Sequence, residues 1–196
     1  MYKSNPISRE EIRRYVRKIR AGMAMEFTLP VPIVSILEQY LPIIFGETYN
    51  YEIVPEEEMG NKHGETIPDQ GLIRIREDVY LGACSGNGRD RMTIAHEIGH
   101  FLLHRSIRVS LCRMENGVTE KPKVYENPEW QADVFAGELL APSYLIANMS
   151  AKEISEKAKV SLAAAETQLR HLPPYLRLNR KGEPYRSEER FSGMPR

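Results

Sequence analysis

The sequence predicts an α+β fold, mostly helical with a small sheet. Three observations lead there. Apolar residues recur at helical spacing in most of the chain from Ser8 to His171. Strand-like runs are few and short. The best-defined helical stripe carries a compact run of metal-ligand residues, His96-Glu97-Ile98-Gly99-His100.

The elements follow in order. Ser8 to Arg20 reads as a helix, with Ile12, Tyr15, Val16 and Ile19 on one stripe and a stop at Gly22. Val31 to Leu41 reads as a second, opened by Pro30 and Pro32 and apolar at Ile33, Ile36, Leu37, Tyr40 and Leu41. Tyr49 to Val54 is strand-like, and residues 55–70, acidic and Gly-containing, read as a loop. Leu72–Ile75 and Val79–Leu81 form an expected hairpin around Arg76-Glu77-Asp78. Gly82 to Gly88 is expected to be a flexible connection; its Gly-x-Gly lacks the flanking elements of a dinucleotide fingerprint. The next helix has Asp90 as its expected start, and Ile94, Ala95, Ile98, Phe101 and Leu102 form its buried stripe. After His104 comes a stretch of about 20 residues without a clear period. Asn127 as cap and Pro128 in the first turn then open a helix that runs to about Leu140, closed by Pro142. Residues 150–171 supply two further amphipathic helices, and Pro173-Pro174 ends them. There are no repeats and no low-complexity segment. The expected organisation is a main domain over 1–148, a helical appendage over 149–172 and a polar tail over 173–196.

Composition bounds the function. With 41% hydrophobic and 28% charged residues in 196, one globular domain with a real core is the default. No run reaches the ~18 apolar residues of a membrane helix, and Met1 to Arg20 lacks the apolar centre of a secretory signal. Cys84 and Cys112 make no disulfide framework and no C-x-x-C pair, so they read as reduced thiols in a cytoplasmic protein. The net charge of zero hides basic ends: residues 1–20 carry seven basic and two acidic side chains. Such ends are ordinarily solvated, and contact with nucleic acid is not the favoured reading.

The chemistry lies in His96, Glu97 and His100. Two imidazoles four apart on a helix sit about one turn and ~40° from each other, so both reach one metal ion from one face. Glu97 points roughly 100° away from His96, beside the metal, where a carboxylate can take a proton from water. This is the H-E-x-x-H arrangement of zinc peptidases. A catalytic zinc takes three protein ligands and keeps one position open. Six residues beyond His100 stands Ser106, not histidine, and Leu103 replaces the glycine of the metzincin turn, so that class is excluded. His104, one turn past His100, has poor geometry for a third ligand and reads as packing or a hydrogen bond near the site. The helix from Asn127 offers Glu129 and Asp133, four apart on one face, with Glu138 further on. Glu129 is the leading ligand. Asp133 is placed to accept the other ring N–H of a zinc histidine, and both it and Glu138 remain alternatives. Two imidazoles and one carboxylate favour zinc over manganese or iron.

Taken together, His96-Glu97-Ile98-Gly99-His100-Phe101-Leu102-Leu103-His104 and Glu129-Trp130-Gln131-Ala132-Asp133, continuing to Ala141-Pro142, resemble the ImmA/IrrE family of metallopeptidases. The two blocks match in order and cover residues 90–142. Ala141 departs from the methionine usual there, at a packing position. The E-x-x-x-D spacing is similar to that of thermolysin-like gluzincins. The resemblance implies a zincin-like fold with a small antiparallel sheet beside the active-site helix. It implies zinc on His96, His100 and Glu129, Glu97 as general base, and Asp133 bracing a histidine. It also implies a cytosolic bacterial or phage-related protein that cleaves a DNA-binding repressor, releasing stress-response or mobile-element genes.

Three readings compete. A peptidase would cut a partner protein, with an extended substrate added to the edge of the expected hairpin, and with Tyr125, His104 or Tyr144 as candidate donors to the oxyanion. A DNA-binding regulator would use residues 150–171 as a helix-turn-helix, but Ala163, Ala164 and Ala165 make few base contacts. A zinc-loaded module would bind its partner without cutting; Glu97, useless to a purely structural zinc, argues for an active site.

Overall fold

The computed structural model describes residues 4–105 and 123–177. Ser106, Cys112 and the polar tail beyond Arg177 lie outside the described residues. Helix α1 (Arg9–Gly22) begins on a reciprocal cap, with Ser8 N–H donating to Glu11 Oε2 and Glu11 N–H to Ser8 Oγ. Its residues Ile12 and Val16 enter the core. The next helical segment is longer than its sequence pattern suggests. Helix α2 (Ile33–Ser35) widens into a π turn (Ile36–Tyr40) and continues as α3 (Leu41–Phe45), straight through Pro42. In the π register the missing N–H of Pro42 would have met Leu37 O; Tyr49 Oη–H donates to that oxygen instead, at 2.7 Å.

Strand β1 (Asn50–Val54) follows, then a single turn α4 (Glu56–Met59) and strand β2 (Gly64–Ile67). The loop expected over 55–70 therefore contains a strand. Strand β3 (Leu72–Arg76) lies between the other two. It runs parallel to β1, with Ile53 beside Ile75, and antiparallel to β2, with Thr66 beside Ile73. The sheet is thus mixed rather than wholly antiparallel.

The expected hairpin does not form. After Arg76 the chain enters helix α5 (Glu77–Cys84), with Glu77 and Asp78 in its first turn and Val79 and Ala83 buried one turn apart. Val79-Tyr80-Leu81 imitates a strand by composition; the acids of the first turn and the i, i+4 burial favour the helix. The Gly82–Gly88 stretch is likewise no loose link. Gly82 lies within α5, and a Cβ there would stand 1.9 Å from Asp90 Oδ2, so the close packing of α5 on Asp90 needs a glycine. Asp90 is not the start of the motif helix α6 (Gly88–His104) either. Asn87 caps it, accepting from the N–H groups of Arg89 and Asp90.

Helix α7 (Pro128–Leu140) opens on Asn127 as expected, and α8 (Ser143–Ile146), α9 (Ala151–Ala158) and α10 (Leu162–Arg170) complete the described chain. One apolar cluster joins Ile12 and Val16, Ile73 and Ile75, Ile94 and Phe101, Phe135 and Leu139, and Ile154, Ala158 and Ala165. Two buried guanidinium groups tie elements into it. Arg20 donates to Leu139 O at the end of α7 and to Thr28 O. Arg91, on α6, donates to Lys159 O between α9 and α10. The fold is α+β, mostly helical and zincin-like, with the sheet beside α6.

Candidate metal centre and active site

Helices α6 and α7 cross where Gly99 meets Ala132 and Phe135. A Cβ on Gly99 would lie 3.1 Å from Phe135 Cδ1 and 3.2 Å from Ala132 Cα. The lack of a side chain there brings the helices close enough for first-turn Glu129 to face both motif histidines. His96 Nε2 and His100 Nε2 are 2.9 Å apart. Glu129 Oε2 is 3.2 Å from the first and 3.4 Å from the second. Bonds of about 2.0–2.1 Å to a tetrahedral metal put neighbouring ligand atoms about 3.3 Å apart, so the three atoms have the spacing of one such ion.

The proton arrangement points the same way. His96 Nδ1–H donates to Asp133 Oδ1 at 2.8 Å, which leaves Nε2 as the lone-pair nitrogen of the neutral ring. His100 is set through two further residues. Gln131 Nε2 donates to Asn5 O and Tyr125 O, so its Oε1 must accept, and His104 Nε2–H supplies the hydrogen at 2.8 Å. His104 Nδ1 is then an acceptor for His100 Nδ1–H at 3.1 Å. With both rings neutral, two Nε2 lone pairs and a carboxylate oxygen converge on one point, an arrangement relieved by protons on the rings or by a shared metal cation. The donor set fits a divalent metal.

Ionisation follows from these contacts. Hydrogen bonds from His100 and His96 hold the Glu129 carboxyl well below the ordinary carboxylate range. Burial works against charge on His96, but its bonds to Asp133 and Glu129 outweigh that and raise the metal-free ring to about 9. Burial lowers His104, in keeping with a neutral acceptor. Burial also raises Glu97, opposed by a hydrogen bond from Thr66.

Glu97 is 8% exposed and sits against β2. Thr66 Oγ1–H donates to Glu97 Oε2 at 2.6 Å, and Gly64 lies so close that a Cβ would stand 2.8 Å from Glu97 Cγ. A cleft of about 780 Å³ opens over these residues, walled by Gly64–Pro68 on one side and Pro128 and Glu129 on the other. A second hollow of about 370 Å³ continues past His96 and Asp133 toward Arg89 and Ser161.

His96, Glu97, His100, Glu129 and Asp133 are thus brought together. Glu138 is not with them: it is buried between Arg13 Nε and the Ser143 N–H and hydroxyl, closing the end of α7. Tyr144 is spent on Glu26 O, and the one N–H of His104 on Gln131, so neither is free to serve an oxyanion. Gly64, Thr66 and Gln131 escape sequence reasoning. Gln131 alone carried a signal, as a polar residue inside an apolar helical stretch.

A family model described as the IrrE N-terminal-like domain, of a peptidase family, matches residues 54–170, more than half of the chain. The chain belongs to this family. The match extends the resemblance seen in residues 90–142 outward, to the end of β1 and through α10. No curated protein matches the chain. As an IrrE N-terminal-like domain it is of the metallopeptidase type, and the family implies a metal that the His96, His100 and Glu129 group is able to hold. Among the described residues no helix is long and apolar enough to cross a membrane.

Proposed function

We propose that this IrrE N-terminal-like domain is a zinc-dependent endopeptidase that cuts a partner protein, a DNA-binding repressor of stress-response or mobile-element genes, in the cytoplasm. The convergence of His96 Nε2, His100 Nε2 and Glu129 Oε2 beside a buried Glu97 carries this reading. These three residues hold the ion, and Asp133 and His104 orient the rings. Zinc, when bound, supplies a Lewis acid that polarises the scissile carbonyl and lowers the pKa of water toward about 7. Glu97 takes the proton from the attacking water as its oxygen adds to the carbonyl carbon. When the C–N bond breaks, Glu97 passes that proton to the departing nitrogen.

Strand β2 supports an extended substrate. Arg76 N–H bonds His63 O, and with Gly64 opposite Ile75 this register turns Glu65 and Ile67 toward β3. The main-chain groups of Gly64 and Thr66 then face the cleft as an open edge to which a peptide can add as a strand. The edge assigned to the hairpin in the sequence thus passes to β2.

A regulator that binds DNA through α9 and α10 has less support. The exposed residues of α10 include one cation, Arg170, offset by Glu166. The start of α10 abuts Gly88, where a Cβ would lie 2.6 Å from Ser161 N. The deciding experiment incubates the protein with a candidate helix-turn-helix repressor, taken from beside its gene where one is encoded there, with and without chelator, and reads intact masses. Chelator-sensitive cleavage is expected. Tight binding that leaves the repressor whole in the presence of zinc would instead mean a non-catalytic module.

A further inference from the structure

The two side-chain positions of β2 that face α6 are both given over to Glu97. Gly64 and Thr66 alternate on one face of the strand, opposite Ile75 and Ile73, both fully buried. At the first, the absent side chain leaves room for the Glu97 stem: a Cβ would lie 2.8 Å from its Cγ and 3.0 Å from Oε1. At the second, a hydroxyl sits 2.6 Å from Glu97 Oε2 and 3.0 Å from Glu97 O.

That pair of distances matters for a group that must gain and lose a proton. While Glu97 is ionised, Thr66 Oγ1–H donates to Oε2. A proton taken on Oε1 leaves Oε2 still an acceptor. A proton taken on Oε2 is met by rotating the hydroxyl, which then accepts from Oε2–H and donates its own hydrogen to Glu97 O. No heavy atom has to move in either case. A valine at this position has the same shape and none of these bonds, and serine has all of them.

We infer that Thr66 and Gly64 are positioning residues that hold the Glu97 carboxyl in one orientation beside the three ligand atoms. The inference rests on the peptidase reading above. It also links the two roles of β2, since the same residues offer their main chain to the substrate.

The test needs no knowledge of the natural substrate. Acetohydroxamic acid chelates zinc and transfers its N–O–H proton to a correctly placed carboxylate, so its affinity for the zinc-loaded protein reports the seat of Glu97. Isothermal titration with this compound is compared for wild type, Thr66→Val, Thr66→Ser and Gly64→Ala, each checked for bound zinc. Thr66→Val and Gly64→Ala are expected to bind zinc stoichiometrically and the hydroxamate roughly ten- to a hundredfold more weakly, the scale of a lost hydrogen bond to a charged group. Thr66→Ser is expected to recover wild-type affinity. If Thr66→Val fails to fold, Gly64→Ala carries the comparison. Wild-type hydroxamate affinity in zinc-loaded Thr66→Val or Gly64→Ala would overturn the inference while leaving the peptidase reading intact. A wild type that takes up no zinc would overturn both.

Discussion

Asp133 Oδ1 meets Nδ1 of His96 at 2.8 Å, on the opposite side of the ring from the nitrogen that faces Glu129. Glu129 and Asp133, two of the three acids of α7, therefore act on one imidazole in different ways. Glu129 completes the ligand set, and Asp133 fixes which nitrogen joins it. Glu129→Ala should abolish tight metal binding. Asp133→Ala should weaken it by roughly 10- to 100-fold, the usual effect of losing a group that orients a ligand. Competition with a chromophoric chelator measures both. The reverse order would mean that Asp133, not Glu129, is the ligand.

The His104–Gln131 pair should behave like Asp133. It acts on the other histidine and from a buried position, His104 being 4% exposed. His104→Phe keeps a planar aromatic ring, though a larger one, and removes the acceptor for His100 Nδ1–H. Metal affinity should fall by roughly 10- to 100-fold. Gln131→Leu should fall in the same direction, because His104 then loses the partner that fixes its hydrogen on Nε2. Unchanged affinity in both would mean that His100 is oriented by packing alone.

Glu97→Gln separates binding from chemistry. The amide fits the same space and still accepts from Thr66, but takes up no proton. Zinc content should match wild type, and cleavage of the repressor should fall below detection. Retained cleavage in the zinc-loaded variant would remove Glu97 from the role of general base.

Why these residues were legible in the sequence, and Thr66 was not, has a physical reason. His96, Glu97 and His100 lie within one helical turn and a fraction, and Glu129 and Asp133 within another, so helix geometry alone puts each set on a face. The chain itself marks the start of α7, with Asn127 before Pro128, whereas the sequence puts the start of α6 at Asp90 and only the side-chain bonds of the structure place the cap at Asn87. Strand β2 has no comparable local code. Its four residues, Gly-Glu-Thr-Ile, owe their extended form to pairing with β3, which lies beyond another turn of chain. Val79-Tyr80-Leu81 misled in the other direction, reading as a strand by composition although the acids before it and the apolar spacing around it belong to a helix.

Metal-free and metal-loaded protein should respond to pH differently, the first losing stability between about 6.5 and 9 and the second holding level. In the metal-free protein His96 is raised from 6.5 to about 9 by its two carboxylate partners. A raised pKa in the folded state adds stability that is full below about 6.5 and is lost as pH rises through about 9. Zinc, however, requires the neutral ring, so uptake at pH 7 releases the His96 proton and affinity should climb with pH toward 9. Thermal melts of both forms between pH 6 and 9 should show the metal-free protein losing stability as the metal-induced gain grows. Parallel trends would mean that His96 is already neutral before metal binds.

Gly99 is the point on which the two motif helices rest, and a side chain there should damage the site from outside it. Its Cα faces Phe135, which is fully buried, and the main chain of Ala132. Neither is the free end of a flexible side chain, so Gly99→Val has to be met by moving α7 away from α6. Overpacking of this kind costs about 1–3 kcal/mol, which for a chain of 196 residues corresponds to a melting temperature lower by several degrees. Glu129 moves with α7, whereas His96 and His100 stay on α6. Zinc affinity should therefore fall by more than the stability loss alone explains, even at temperatures where the variant is fully folded. A variant that melts early yet binds zinc as wild type does would show that the first turn of α7 is held in place by its own contacts rather than by the close crossing at Gly99.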